Sequence, residues 1–151
     1  SNGADMSFYL GAQPKPFVCA IAPVAGTMME SWAKGFRPAD RVSVLAVNAR
    51  RDRTTLWDGD LQNRDGWGAY LGTEGVVDLW VKGLALTRQD QVVLSPGIQR
   101  TRWFSGVGNT EVKLYALEAG GHEWPRHLGE KNRTTAEVIW SFFDDHRPRS
   151  R

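Results

Sequence analysis

The chain has 151 residues, of which 41% are hydrophobic and 24% are charged, and its formal net charge is +2. This composition excludes a disordered or fibrous protein and predicts one globular domain over residues 1–151. The charge is too small to predict a nucleic-acid partner, and no apolar run approaches the ~20 residues that span a bilayer, so no membrane partner is predicted. The start of the chain shows no export signal, and localisation stays open because a precursor could extend upstream of Ser1.

The first part of the chain is predicted to contain one helix and two strands. Residues 4–13 are compatible with a helix that ends before Pro14. Residues 16–26 form a continuous apolar run, and residues 41–50 form a second one, rich in β-branched side chains, that stops at the polar segment RRDRTT. Both runs are typical of strands buried on both faces of a parallel sheet.

The rest of the chain is predicted to continue the alternation of helices and strands. Residues 73–86 carry apolar side chains at helical spacing, and residues 91–106 look extended but interrupted by turn residues. Residues 111–121 form a third strong strand. Thr134 and Glu137 have the spacing of a capping box ahead of a final helix.

This order of elements predicts an α/β fold with a mostly parallel sheet flanked by helices. In such sheets, sites form outside the carboxyl ends of the strands. Three places are therefore of interest: the turn at Ser1, the loop that holds Asp52 and the loop that holds His122.

Three residues in these places have the chemistry of a catalytic triad. His122 follows two glycines directly behind a strand, and glycines permit a tight turn that presents the imidazole at the sheet edge. Asp52 at the neighbouring strand end could orient the imidazole and stabilise its protonated form. Ser1 supplies the nucleophile if the chain starts inside a G-x-S-x-G elbow whose last glycine is Gly3, and the order Ser, Asp, His is that of α/β-hydrolases.

The motifs around these residues carry a family resemblance. The most specific is GGHEWP, while SNGADMS corresponds to a serine elbow and VLAVNARRD to the strand before the acid. Together they resemble the feruloyl-esterase and polyhydroxybutyrate-depolymerase-like esterases of the α/β-hydrolase superfamily, although members often carry His-Gly where this chain has Asn48 and Ala49. The resemblance covers the C-terminal half of a member. It implies a partial α/β-hydrolase fold and hydrolysis of small-molecule or polymeric carboxylic esters through an acyl-serine intermediate, with no cofactor.

The oxyanion hole of such an enzyme needs two N–H donors. The N–H of Asn2, the residue after the nucleophile, would be one, and the other would come from a loop after an early strand that this chain lacks. A homo-oligomer or a complementing N-terminal half would have to supply it. The alternative is a non-catalytic or half-formed hydrolase domain that needs such a partner.

Other interpretations compete for the acid and the nucleophile. Asp58 and Asp60 lie close to Asp52, and any loop aspartate can simply cap a turn, but Asp52 lies nearest the strand end. The segment SNGAD could derive from a vector, or the α-amine of Ser1 could itself act as the base. The elbow-like spacing and the availability of His122 favour the triad.

The remaining motifs concern substrate and metal binding. Trp57, Trp67 and Trp124 lie in the loops that flank the acid and the histidine, and they are predicted to wall an acyl or aromatic pocket. The segment HEWPRH does not match a zinc helix, because His127 comes one position too late and Pro125 interrupts a helix. The acidic segment DGDLQNRDG does not match an EF-hand loop, so no metal is predicted.

Overall fold

The computed structural model describes residues 1–15, 17–37, 42–105 and 108–147. The helices of this part of the chain are α1 (Asn2–Gly11), α2 (Glu30–Ala33), α3 (Thr73–Gly83) and α4 (Thr135–His146). Its strands are β1 (Ala20–Ile21), β2 (Ser43–Ala49), β3 (Gly59–Asp60), β4 (Tyr70–Leu71), β5 (Arg88–Ser95), β6 (Ile98–Phe104) and β7 (Glu111–Leu117). None of these helices is long and apolar enough to cross a membrane.

The main sheet is mixed, and the predicted mostly parallel sheet is wrong. Its strand order is β1-β2-β7-β6-β5, and β3 and β4 form a separate small ribbon. Strands β1, β2 and β7 are parallel, whereas β6 is antiparallel to β7 and β5 is antiparallel to β6. Since most of the paired residues are antiparallel, the sheet does not define the partial α/β-hydrolase fold that the motifs implied.

A hairpin accounts for the difference. Residues 91–106 were expected to be extended and interrupted by turn residues. Instead, the chain reverses its direction at Pro96 and Gly97, and Ser95 pairs with Ile98. Proline favours the first central position of a tight turn, and Gly97 adopts the positive φ of 77° that the second position of a type II turn requires. The chain therefore returns antiparallel and adds two strands beside β7 without a helical crossover.

The first predicted strand is also much shorter than expected. The apolar run 16–26 contributes only the two residues of β1 and an isolated bridge between Val24 and Val47. Pro23 has no N–H to donate to the ladder, although its carbonyl accepts a hydrogen bond from Val47 at 3.0 Å. The run thus follows β2 only intermittently, and β1 is an edge strand.

Helices cover both faces of the central strands. Alternate residues of β2 and β7 face opposite ways, as the period of a strand requires. One face packs against α1 and α3 and the other against α4, around the clusters Phe8, Val44, Ala46, Trp80, Val112, Leu114 and Leu45, Val47, Tyr115, Leu117, Ile139, Phe142. The predicted capping box of α4 is confirmed: Thr134 Oγ1 accepts the Glu137 N–H, and the Glu137 carboxylate accepts the Thr134 N–H at 2.7 Å.

A buried carboxylate lies at the amino end of β7. Glu111 binds Lys113 Nζ at 2.8 Å and the Arg102 guanidinium, and His146 Nε2 lies 3.5 Å away. Burial by itself raises the pKa of Glu111, but the hydrogen bonds and charges of Lys113 and Arg102 outweigh it and hold the pKa below the ordinary value. The ionised carboxylate therefore stabilises the folded chain.

We expect this carboxylate to make the stability depend on pH. A pKa lowered by folding gives stability that is present above the unfolded value of about 4.3 and is lost as pH falls through the folded value. The free energy of unfolding, measured by urea denaturation, should therefore fall below about pH 5, and the advantage of the wild type over Glu111→Gln should shrink. A constant difference between the two proteins down to about pH 3 would contradict this assignment.

Candidate active site

The loop after β2 holds Asp52 in a fixed orientation. Its side chain is only 2% exposed. One carboxylate oxygen accepts the backbone N–H groups of Thr54 at 2.8 Å and Thr55 at 3.0 Å, which form a turn around the side chain. The other oxygen lies 2.9 Å from His122 Nδ1. Both oxygens therefore have hydrogen-bond partners, and one of them is directed at the imidazole.

His122 reaches Asp52 because the two loops leave the sheet at the same edge. Strands β2 and β7 are parallel neighbours with Ala49 opposite Leu117, so their carboxyl ends coincide. Gly120 then turns the chain at a φ of 91°, which favours glycine. Among the described residues, no group forms a hydrogen bond with His122 Nε2. With Nδ1–H donating to the Asp52 carboxylate, Nε2 is left with a lone pair that can accept a proton.

Ser1 is attached to the loop that holds Asp52. Its α-amino group, which is the N-terminal group of this chain, donates to the carbonyls of Val24, at 3.1 Å, and of Ala25. The Ala25 carbonyl also accepts the Thr55 hydroxyl at 3.4 Å, and the Thr55 N–H binds Asp52. One carbonyl thus connects the residue predicted as nucleophile to the loop of the predicted acid.

The hydroxyl of Ser1 is not engaged in the described part of the chain. Ser1 occupies the N-cap position of α1, but its side chain does not cap the helix. Its carbonyl instead accepts the N–H of Ala4 at 2.7 Å and of Asp5 at 3.2 Å. No hydrogen bond joins Ser1 Oγ to His122 within the described residues. The structure therefore brings Asp52 and His122 together and leaves Ser1 attached nearby, with its hydroxyl free.

The first turn of α1 presents an unpaired N–H at Asn2. This residue is exposed, and its N–H has no acceptor within the described ranges, as is normal at a helix start. The positive end of the helix dipole lies at the same place, and it favours negative charge. The predicted oxyanion donor is thus free to bind a ligand.

The turn after β1 lets α1 approach closely, and sequence reasoning missed it. A Cβ on Gly26 would lie 2.4 Å from Ala4 Cβ and 2.9 Å from the Ser1 carbonyl oxygen. Ala25 next to it has a φ of 50°, an uncommon conformation for a residue with a side chain. The Asp5 carboxylate accepts the Thr27 N–H at 3.0 Å and closes the junction. A glycine directly after an apolar strand was the available signal for this close approach.

We expect Gly26→Ala to displace Ser1 from the site. The added methyl group cannot fit without moving α1, so the variant should lose stability by about 1–3 kcal/mol and lose most of any activity that depends on Ser1. Thermal melting followed by circular dichroism and a rate assay would measure the two effects. Gly75→Ala in α3 is the matched control, since the nearest atom to its added methyl group, Leu71 Cδ2, lies 3.8 Å away. Equal rates in wild type and Gly26→Ala would contradict the role given to this junction.

The three aspartates of the loop have different environments. Asp58 is exposed, and Asp60 is buried with its carboxylate bound to the side chain and N–H of Arg64. Of the three, only Asp52 forms a hydrogen bond with His122.

The three tryptophans predicted to wall a pocket lie in unlike places. Trp57 is 8% exposed in the hydrophobic core, and the Arg50 guanidinium lies 4.2 Å above its ring. Trp67 stacks on Tyr70 at 4.7 Å between ring centroids. Trp124 is 60% exposed in the loop after His122. A small cleft next to His122 is lined by none of them, but by Ala25, Val47, Ala49, Leu117, Gly120, Gly121, Glu123 and Pro125.

The described residues contain no group of three or more His, Cys, Asp or Glu side chains that could hold a metal ion. Comparison with protein families gives no matching family, and no curated protein sequence matches the chain. The functional assignment therefore rests on the geometry of the site.

Proposed function

We propose that this chain hydrolyses carboxylic esters, with Ser1 as nucleophile, His122 as general base and then general acid, and Asp52 as the group that orients His122. The observation that carries the proposal is the 2.9 Å contact between His122 Nδ1 and a buried Asp52 carboxylate whose second oxygen is held by two backbone N–H groups. A histidine bound in this way has a fixed tautomer and can accept a proton at Nε2. The resemblance of GGHEWP to esterase motifs supports the same activity.

The reaction would take two steps. Ser1 Oγ attacks the ester carbonyl carbon while its proton passes to His122 Nε2, and the Asn2 N–H donates to the oxyanion that forms. The bond between carbonyl carbon and alcohol oxygen then breaks, and the alcohol leaves with the proton from His122. Water, deprotonated by the same nitrogen, then attacks the acyl carbon, the bond between that carbon and Ser1 Oγ breaks, and the proton on His122 returns to Ser1 Oγ as the acid leaves.

The proton transfer requires Ser1 Oγ and His122 Nε2 to move into contact. Catalytic hydrogen bonds are often long before substrate binds and shorten in the complex. The free Ser1 hydroxyl and the free His122 Nε2 are compatible with such a change, because neither has to break a hydrogen bond to another described residue. A rotation of the Ser1 side chain about its Cα–Cβ bond would leave the sheet undisturbed.

A second candidate is a domain that a partner must complete. Strand β1 ends the sheet and pairs with β2 alone among the described strands. An uncovered strand edge can pair with another chain. If a partner supplies the second oxyanion donor, the isolated chain would be weakly active or inactive, and light scattering of the active fraction would reveal an assembly.

The hydrolysis of p-nitrophenyl acetate tests the proposal. The wild type should hydrolyse it well above the buffer rate, and Ser1→Ala should lower kcat/KM by at least about 10³-fold. Ser7→Ala is the matched control, since it removes a nearby hydroxyl in α1 that, among the described residues, donates to the Gly3 carbonyl alone, at 2.7 Å. Intact mass must show that Ser1 is present. Equal rates for wild type and Ser1→Ala would rule out the serine mechanism.

A further inference from the structure

The cleft beside His122 is small and mostly apolar. It is lined by Val47 and Ala49 from the end of β2 and by Leu117 from the end of β7. Ala25 from the turn after β1 and Pro125 from the loop after His122 also line it. Among the described residues of the lining, Glu123 is the only ionisable one.

The residues that line the cleft include neighbours of both parts of the proposed catalytic machinery, although neither His122 nor Ser1 lines it. Gly121 and Glu123, which line it, are the chain neighbours of His122, and the Glu123 carboxylate holds the Gly121 N–H at 3.3 Å. On the other side lies Ala25, whose carbonyl binds the backbone nitrogen of Ser1. A group placed in this cleft would therefore lie between the nucleophile's attachment point and the histidine loop.

The size of the cleft limits what can enter it. Its enclosed part accommodates about one water-sized group. Ala25 and Ala49 contribute only methyl groups to its walls, and Gly120 and Gly121 contribute no side chain. A methyl group fits such a space, whereas each further methylene would have to displace packed backbone or core side chains.

We propose that this cleft receives the acyl chain of the ester and restricts it to short, unbranched acyl groups, acetyl above all. The inference rests on the ester hydrolysis proposed above. The alcohol part would remain outside the cleft. The substrate class is thus a short-chain acyl ester.

The inference is tested by measuring kcat/KM of the wild type for p-nitrophenyl acetate, butyrate and hexanoate. Since one methylene in an apolar pocket changes kcat/KM by about 10–200-fold, acetate should exceed hexanoate by at least about 100-fold. Equal rates on the three esters, or faster hydrolysis of hexanoate, would overturn the inference while leaving the ester-hydrolase proposal intact. If no ester is hydrolysed, the proposed function fails and the inference fails with it.

Two variants test the cleft walls directly. Leu117→Ala should widen the cleft and raise the ratio of the butyrate to the acetate rate about tenfold, whereas Ala49→Val fills the space for a methyl group and should not raise that ratio. The ratio is measured within one protein, so partial unfolding lowers both rates and leaves it unchanged. Val93→Ala, on the exposed strand β5, is the control. An unchanged ratio in Leu117→Ala would show that the acyl group binds elsewhere.

Discussion

Replacing His122 by alanine is expected to lower kcat/KM for p-nitrophenyl acetate by at least about 10³-fold, because His122 Nε2 is the proposed acceptor of the Ser1 proton. Asp52→Asn should cost about 10⁴-fold, since an amide that donates to Nδ1 selects the wrong tautomer of the imidazole. The loss should appear in kcat, with KM little changed. Stopped-flow or steady-state assays over a range of ester concentrations would separate the two constants.

The matched control for this prediction is His127→Ala. His127 is also a loop histidine behind β7, but its Nδ1 binds the Arg133 carbonyl at 3.0 Å and it makes no contact with Asp52. We expect its removal to leave kcat within about twofold of the wild type, as for surface groups outside a site. Equal losses in His122→Ala and His127→Ala would mean that the Asp52–His122 pair only links two loops.

The largest effect on stability is expected from Trp80→Ala. Trp80 is a residue of α3, and its side chain is fully buried. Its ring packs against Phe36, with ring centroids 4.8 Å apart, and against Phe8, with ring centroids 6.2 Å apart. Truncation of a buried tryptophan typically costs about 3–5 kcal/mol because a large cavity remains. Urea denaturation followed by circular dichroism would measure the loss, and a domain of this size could unfold entirely.

Trp80→Phe provides the control for this loss. The indole Nε1–H is buried and has no hydrogen-bond partner in the described part of the chain, so phenylalanine removes an unsatisfied donor while keeping most of the ring contacts. We expect it to cost less than half as much as alanine. Equal destabilisation by the two substitutions would contradict the packing role of the ring.

The sequence predicted three of the described helices and the two central strands because their signals are local. Apolar periodicity identified α1 and α3 near their observed bounds, the capping box marked the start of α4, and apolar runs identified β2 and β7, whereas α2 was not predicted. It did not predict the hairpin of β5 and β6, since the turn at Pro96 and Gly97 was taken only as an interruption. One turn of two residues changed the sheet from parallel to mixed.

The candidate site shows the same division between local and distant information. The sequence placed Asp52 and His122 at the same edge of the sheet because each was expected to follow a parallel strand. Strands β2 and β7 are indeed parallel, and the two side chains are in contact. The link from Thr55 through Ala25 to Ser1 joins three distant segments, and no sequence spacing indicates it. Burial of Trp57 in the core likewise depends on how its loop folds back against α3, which composition does not specify.

Covalent labelling tests most directly whether His122 activates the Ser1 hydroxyl. The wild type, His122→Ala and Ser7→Ala would each be incubated with an alkyl fluorophosphonate, and the modified residue would be located by intact mass and peptide mapping. The proposed mechanism predicts one adduct, on Ser1, in the wild type and in Ser7→Ala, and at least about 10³-fold slower labelling of His122→Ala. Absence of an adduct on Ser1 in the wild type, or labelling of Ser1 at the same rate without His122, would contradict it.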